Sequence, residues 1–447
     1  MNVSIDTAPF VAHRARFLEL LEREEAAAVI PSGVPRLRNG DSEHRFRPDS
    51  DFYYLTGFRE PHATLVLAPA REGARSILFL RDKNPDEEAW SGRRLGVLAA
   101  RETLGVEEAR PIDAFWDELP ALLRHHGRLV YRAGSDEESD RHMIRVVKRL
   151  DLKGRRGERV PQEWADPAKT LHELRLFKSP GELERLRRAA AISAEGHLAV
   201  MRAAHPGRNE AELDALLEYT FRRRGSTGSA YTSIVAGGAN ACILHYVEND
   251  QPLAEGDLCL VDAGAEWDHY ASDVTRTFPV NGRFSREQRA LYALVLCAQK
   301  AAIELVKPGA NAVQVHDRAV EVLVEGLVEL GLLAGNPAEL IEKNAHRRFY
   351  MHRTGHWLGL DVHDCGAYYV DGAPRTFEPG MVQTVEPGLY VAPDDETVEA
   401  RWRGTGIRIE DDLVVTADGH EILTAALPKE VDEIEALCQE KRLERVR

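Results

Sequence analysis

The chain is poor in several things, and each shortage excludes a class of protein. Positive charge is short: 58 Lys and Arg stand against 73 Asp and Glu, a net charge of -15 over 447 residues. A nucleic-acid partner is therefore not expected, because phosphate binding needs a basic face. Cysteine is scarce and scattered: Cys242, Cys259, Cys297, Cys365 and Cys438 form no CxxC pair. That excludes a zinc ribbon and a disulfide scaffold, and it predicts reduced thiols in a cytoplasmic protein. Long apolar runs are missing, and the N-terminal stretch MNVSIDTAPFVAHRARFLELLEREE has no basic-then-apolar signal pattern. No membrane association is expected.

What remains is enough for large cores: 43% of residues are hydrophobic and 29% charged, as in globular proteins of two or three domains. The first part alternates helix and strand patterns. A helix is predicted near Phe10 to Glu25, strands at TLVLAP and SILFLR, and a helix around Asp113 to His125. That alternation reads as an α/β domain. The stretch DLKGRRGERVPQEWADPAK is rich in Gly, Pro and charge, and it is expected to carry the domain connection. The predicted domains are residues 1–174 and 175–447.

The second domain opens with a clear helix start, because Ser179, Pro180 and Glu182 occupy the cap, first and third positions. Asn209 with Glu212 and Ser285 with Gln288 repeat the device, and HDRAVEVLVEGLVEL adds a fourth helix. Between the helix pairs, Gly256-DLCLV-Asp262-Ala-Gly264 matches Gly380-MVQTV-Glu386-Pro-Gly388. Helix pair, strands, helix pair, strands: this order predicts an α+β domain of two pseudo-symmetric halves.

Acids interrupt the strand patterns of both halves. In LCLVDAGAEWDHYASDVTRTF, Asp262 ends one apolar run and Asp273 opens another. With the turn on Trp267 and Asp268 the two face each other, and opposed like charges repel. On this hairpin alone, two turn-proximal aspartates making local hydrogen bonds are an equal alternative. Glu386 in VQTVEPGLY and Glu410 in GIRIEDDLVVT repeat the anomaly, and MHRTGHWLGLDVHD supplies His352, His356 and His363. His245 precedes the first acidic strand, whereas His316 and His346 are expected on the surface. Four carboxylates and at least one imidazole suggest one metal pocket. An oxygen-rich set favours Mn²⁺ over thiolate-seeking metals, and four negative charges balance two divalent ions. Calcium fits less well, since histidine is a poor calcium ligand and no EF-hand spacing occurs.

These blocks (VDAGAEWDHYASDVTRTFPVNG, MHRTGHWLGLDVHD, TVEPGLY and GIRIEDD) resemble the signature segments of M24 metallopeptidases. The resemblance runs from about Lys178 to Val415 and implies a pita-bread catalytic domain. SDFYYLTGFREPHATLVLAP and AWSGRRLG resemble the creatinase-like N-terminal α/β domain of bacterial aminopeptidase P. Together they imply hydrolysis of the bond between an N-terminal residue and a penultimate proline. Carried over by position, the metal ligands are Asp262, Asp273, His356, Glu386 and Glu410, with Asp273 and Glu410 shared between two ions. Glu386 is implied as proton shuttle. His245 and His363 are implied to steady the substrate carbonyl, and His352 to line the proline side. Arg408 is expected to anchor a carboxylate, with an idle strand arginine as the alternative. Tyr390 is expected in the pocket wall. Trp90 is implied to reach a neighbouring subunit's site, in a homodimer or homotetramer. The departures from the pattern are the Arg-Thr-Gly between His352 and His356, and Ala265 after the Asp-Ala-Gly. A prolidase, which cleaves Xaa-Pro dipeptides, and a non-catalytic binding protein on the same scaffold are the alternatives.

Overall fold

The computed structural model describes residues 7–444, with side chains through residue 440. The chain divides into two units between Arg175 and Leu176.

In the first unit, helix Ala8–Arg23 buries Phe10, Phe17, Leu18 and Leu21 along one stripe. Six strands make one mixed sheet in the order 108–111, 76–80, 64–67, 26–31, 128–130, 163–165. The expected strands are Thr64–Leu67 and Ser76–Leu80, paired antiparallel with Leu65 opposite Leu78. Every residue of both is buried, as in a strand covered on each face. The Gly- and charge-rich stretch at 151–169 is not a connection. Its start ends helix Glu137–Gly154, and Glu163–Ala165 pairs parallel with Arg128–Val130. A three-residue strand on the sheet edge, mostly exposed, tolerates charge and leaves no hydrophobic period to read.

In the second unit the helix starts are capped as their sequences predict. Glu182 accepts from the Ser179 N–H at 2.8 Å, Asn209 from Ala211 N at 2.8 Å, and Ser285 from Gln288 N at 3.1 Å. Helices Pro180–Ala203 and Glu210–Arg223 precede an antiparallel sheet of strands 234–237, 258–262 and 275–279. Helices Arg286–Ile303 and Ala312–Glu329 precede a second, of strands 382–385, 411–415 and 420–422. Gly256 and Gly380 turn the chain into corresponding strands with φ of +89° and +94°. That left-handed region costs glycine little. The sequence repeat is thus also a repeat of backbone conformation.

Alternation along strand Leu258–Asp262 separates core from site. Cys259 and Val261 pack with Leu213, Leu217 and Phe221 of the covering helix. Leu260 packs the other way, with Ile234, Ala236 and Tyr390. Asp262, two residues on, shares that inner face.

The hairpin register differs from expectation. Trp267 pairs with Tyr270, so the turn is Asp268–His269, with φ of +52° and +65°. A two-residue hairpin turn of this kind needs two left-handed residues, and Asp and His adopt that region more readily than a bulky Trp. Asp262 therefore faces Thr275, and Asp273 is its diagonal neighbour. The halves meet here: Glu410 N–H donates to Thr275 O at 3.1 Å, and Thr277 Oγ1 to Arg408 O at 3.0 Å.

Candidate metal centre

That junction gathers side chains distant in sequence. Ligand atoms of Asp273, His356 and Glu410 all lie within 4.8 Å of one another. His356 Nε2 is 3.2 Å from Asp273 Oδ2 and 3.7 Å from Glu386 Oε1. Its Nδ1 donates to Trp357 O at 3.0 Å. This fixes the ring and turns Nε2 toward the carboxylates. Asp262 joins through Tyr231, whose hydroxyl is 2.6 Å from Asp262 Oδ1 and 2.5 Å from Asp273 Oδ1. Asp262 Oδ2 accepts from Arg408 at 2.7 Å, and Glu410 Oε2 accepts from Thr275 Oγ1 at 2.7 Å.

Two carboxylates at such separations repel by ~3 kcal/mol at an effective dielectric of ~20. The consequences show in their acidity. Burial, reinforced by the charge of Asp273, pushes Glu410 well above the usual carboxylate range. Burial also raises Asp262 against the opposing pull of Arg408. Glu386 is pushed up to about 7 by burial, with His356 pulling against it. Asp273 goes the other way: burial raises it, but its hydrogen bond and ion pair with His356 outweigh that and hold it low. Burial lowers His356, but Asp273 outweighs it and raises the ring to about 9. The His356 proton stands where a cation belongs, since imidazole ligates only when neutral. Four carboxylates, one imidazole and a single engaged arginine make a donor set that fits a divalent metal ion.

A cavity of about 800 Å³ opens beside these groups, lined in part by His245, His352, His363 and Arg408. The His363 ring lies 4.1 Å from that of His356, centroid to centroid. Arg408 is 4% exposed and donates to the Tyr390 hydroxyl at 2.8 Å as well as to Asp262. The Tyr390 hydroxyl in turn contacts His352 Nε2 at 2.9 Å. His352 Nδ1 donates to Arg353 O at 2.8 Å, so Nε2 is the acceptor of the tyrosine proton. Burial lowers His352 to about 3, which keeps it neutral. His245 is an exposed residue of the lining, carried by a segment that Glu210 ties down through Gly237 N, Tyr246 OH and Gln251 N. Trp90 belongs to the first unit, in helix Pro85–Ser91, and is 93% exposed.

Sequence reasoning missed three participants. Tyr231 lies 31 residues before Asp262, ahead of strand Ile234–Gly237, and nothing near it in sequence marks it. Thr275 reads as an ordinary strand threonine. His316 was expected on the surface, yet it lines the cavity and bonds Thr354 Oγ1 through Nδ1 at 2.9 Å. Burial lowers it to about 4. His346, also expected on the surface, is 6% exposed, within the short turn Ala345–Arg348. One histidine on a helix or turn carries no sequence sign of which way it faces.

Metallopeptidase family M24 matches residues 184–417, and the aminopeptidase P N-terminal domain matches residues 10–131. The chain is 45% identical to the Xaa-Pro aminopeptidase of Haemophilus influenzae, over 92% of this chain and 93% of that protein. It aligns with Pseudomonas aeruginosa aminopeptidase PepP at a TM-score of 0.95 and 46% identity, covering 99% of this chain and 100% of that one. Zinc-substituted Escherichia coli aminopeptidase P in complex with product aligns at 0.93 and 43% identity, covering 98% and 99%. With its acidic cluster inside the matched segment, the chain belongs to metallopeptidase family M24 and carries an aminopeptidase P N-terminal domain.

Proposed function

We propose that the chain is a metal-dependent Xaa-Pro aminopeptidase, releasing the N-terminal residue from peptides whose second residue is proline. The observation that carries this reading is the set of Asp262, Asp273, His356, Glu386 and Glu410 at a cavity wide enough for a few peptide residues. Nearly full-length similarity to Xaa-Pro aminopeptidases supports the substrate class.

These five residues would hold two divalent ions, with manganese the favoured metal because carboxylate oxygens dominate the set. Such ions activate water and polarise the scissile carbonyl. Glu386, between His352 and His356, takes the proton of the attacking water and delivers it to the departing proline nitrogen. His245 and His363 stabilise the charge that develops on the carbonyl oxygen. His352 and Tyr390 form the proline side. Arg408 holds Asp262 and Tyr390 in place. Proline suits this arrangement because its tertiary amide offers no N–H for an enzyme to read, so the pocket accepts a ring rather than a hydrogen bond.

The enzyme acts as a homodimer or homotetramer in the cytoplasm, on peptides and not on nucleic acid or membranes. Exposed Trp90 supports the assembly, and the few, scattered cysteines support the compartment. Among the described residues no helix is long and apolar enough to cross a membrane.

The test is cleavage of Xaa-Pro-Xaa peptides after chelation, and after adding Mn²⁺ back. Asp273→Ala is expected to lose more than about 10³-fold in turnover, the scale of losing general-base and electrostatic help together. A variant that binds metal and works normally would show the site to be misassigned. Strong preference for Xaa-Pro dipeptides would make the protein a prolidase, and no turnover with metal bound would make it a binding protein.

A further inference from the structure

The charged groups lining the cavity are almost all engaged. Asp262, Asp273, Glu386 and Glu410 belong to the acidic cluster, and Asp364 pairs with Lys178 at 2.9 Å. Arg408 is held by Asp262 and Tyr390. Arg353 lines the same cavity, is exposed, and makes no ion pair within 4 Å and no side-chain hydrogen bond among the described residues, and Asp317 is the acid near enough to feel its charge.

Its main chain, by contrast, is fixed at the reacting end. The Arg353 carbonyl accepts from His352 Nδ1. The next carbonyl, of Thr354, accepts from the Glu386 N–H at 2.8 Å. The Thr354 side chain is braced by His316 at 2.9 Å and by Tyr350 at 2.6 Å. A guanidinium that no side chain holds in direct contact, on an anchored backbone, is therefore presented one step from the proline-side histidine. Ala312 and Val313, in the first turn of an 18-residue helix, line the same cavity and add positive potential from the helix dipole.

We propose that Arg353 is a specificity residue for an anionic group just downstream of the proline. The group is either the C-terminal carboxylate of a short peptide or an acidic side chain at the third position. A peptide cleaved at the Glu386 end directs its following residues, at ~3.3 Å each when extended, within reach of a long arginine. The proposal rests on the aminopeptidase reading and narrows it to a class of substrate.

The experiment compares kcat and KM of wild type, Arg353→Ala and Arg353→Lys on two matched pairs of peptides. One pair is Ala-Pro-Ala as free acid and as amide; the other is Ala-Pro-Glu-amide and Ala-Pro-Gln-amide. Wild type is expected to show a KM about two- to fivefold lower for the anionic member of at least one pair, the size of a solvent-exposed charge pair. Arg353→Ala removes that preference and leaves kcat and the neutral peptide unchanged, Arg353→Lys keeps most of it, and rising salt weakens it. The pair that responds identifies the source of the charge. Equal KM values within both pairs, or an equal loss on charged and neutral peptides in Arg353→Ala, overturns the proposal. Failure of the metal-loaded wild type to cleave any of the four peptides overturns the aminopeptidase reading itself, and this proposal with it.

Discussion

Glu410 and Asp411 are neighbours in sequence, both nearly inaccessible, and electrostatically opposite. Glu410 lies just before strand Asp411–Val415, and the two neighbouring side chains contact different partners. Asp411 accepts from Arg276 at 2.8 Å, Lys429 at 2.6 Å, Gln299 at 2.8 Å and Thr424 at 2.7 Å. Burial raises it, but Arg276 and Lys429 outweigh burial and hold it below the usual carboxylate range. Glu410 has Thr275 as its hydrogen-bond donor and other carboxylates as neighbours, and it is driven well above that range. The two sites bury acid equally well, but only Asp411 has cations in direct contact. A buried acid whose countercharge is built in is architecture, whereas one whose countercharge is missing marks a place for an ion from outside.

The largest expected effect breaks the built-in side of this comparison. Asp411→Asn leaves Arg276 and Lys429 buried without their acid and should cost about 3–5 kcal/mol, as removal of one member of a buried pair does. Urea unfolding measures it, and a loss under 1 kcal/mol would deny Asp411 its structural role.

The second effect concerns pH in the metal-free protein. Glu386, raised from 4.5 to about 7, contributes stability that is full below 4.5 and lost as pH rises through 7. His356, raised from 6.5 to about 9, contributes stability lost as pH rises through 9. Asp273, held low, acts only below its ordinary value of 3.8. Metal-free protein should therefore weaken steadily between pH 5 and 9, with Glu386 alone accounting for roughly 3 kcal/mol at 1.36 kcal/mol per pKa unit. Metal-loaded protein should not weaken this way. Parallel stability curves for the two forms would contradict the reading.

A smaller effect sharpens the ion-seeking side. Tyr231→Phe removes the hydroxyl shared by Asp262 and Asp273. Metal affinity should fall about 10–100-fold, as when a hydrogen bond that orients a ligand is lost, with the fold intact. Calorimetric titration with Mn²⁺ decides it, and unchanged affinity would mean the two carboxylates orient themselves.

What the sequence discloses is local, and what it hides is long-range. Ser179 with Glu182 and Ser285 with Gln288 announce helices because a cap is satisfied within four residues. Asp262, Asp273, Glu386 and Glu410 stand out because an acid in an apolar strand is anomalous wherever it occurs. Tyr231 is invisible because its two bonds reach across the fold to residues 31 and 42 positions away. Asp411 and Asp412 carry the same signal as Glu410 in GIRIEDD, and only the positions of Arg276, Lys429 and Ser272 tell the three acids apart. The hairpin turn slipped by one residue because the left-handed backbone at His269 is a property of the closed turn, not of the residues leading into it.

The most direct test is thermal unfolding of metal-free wild type and Glu410→Gln at pH 8, each with and without Mn²⁺. Replacing an acid that lacks a countercharge by a neutral amide should raise the metal-free midpoint, by roughly 2 °C per kcal/mol gained, while shrinking the gain from Mn²⁺. A metal-free Glu410→Gln that unfolds below wild type would show that Glu410, like Asp411, already has its countercharge within the chain.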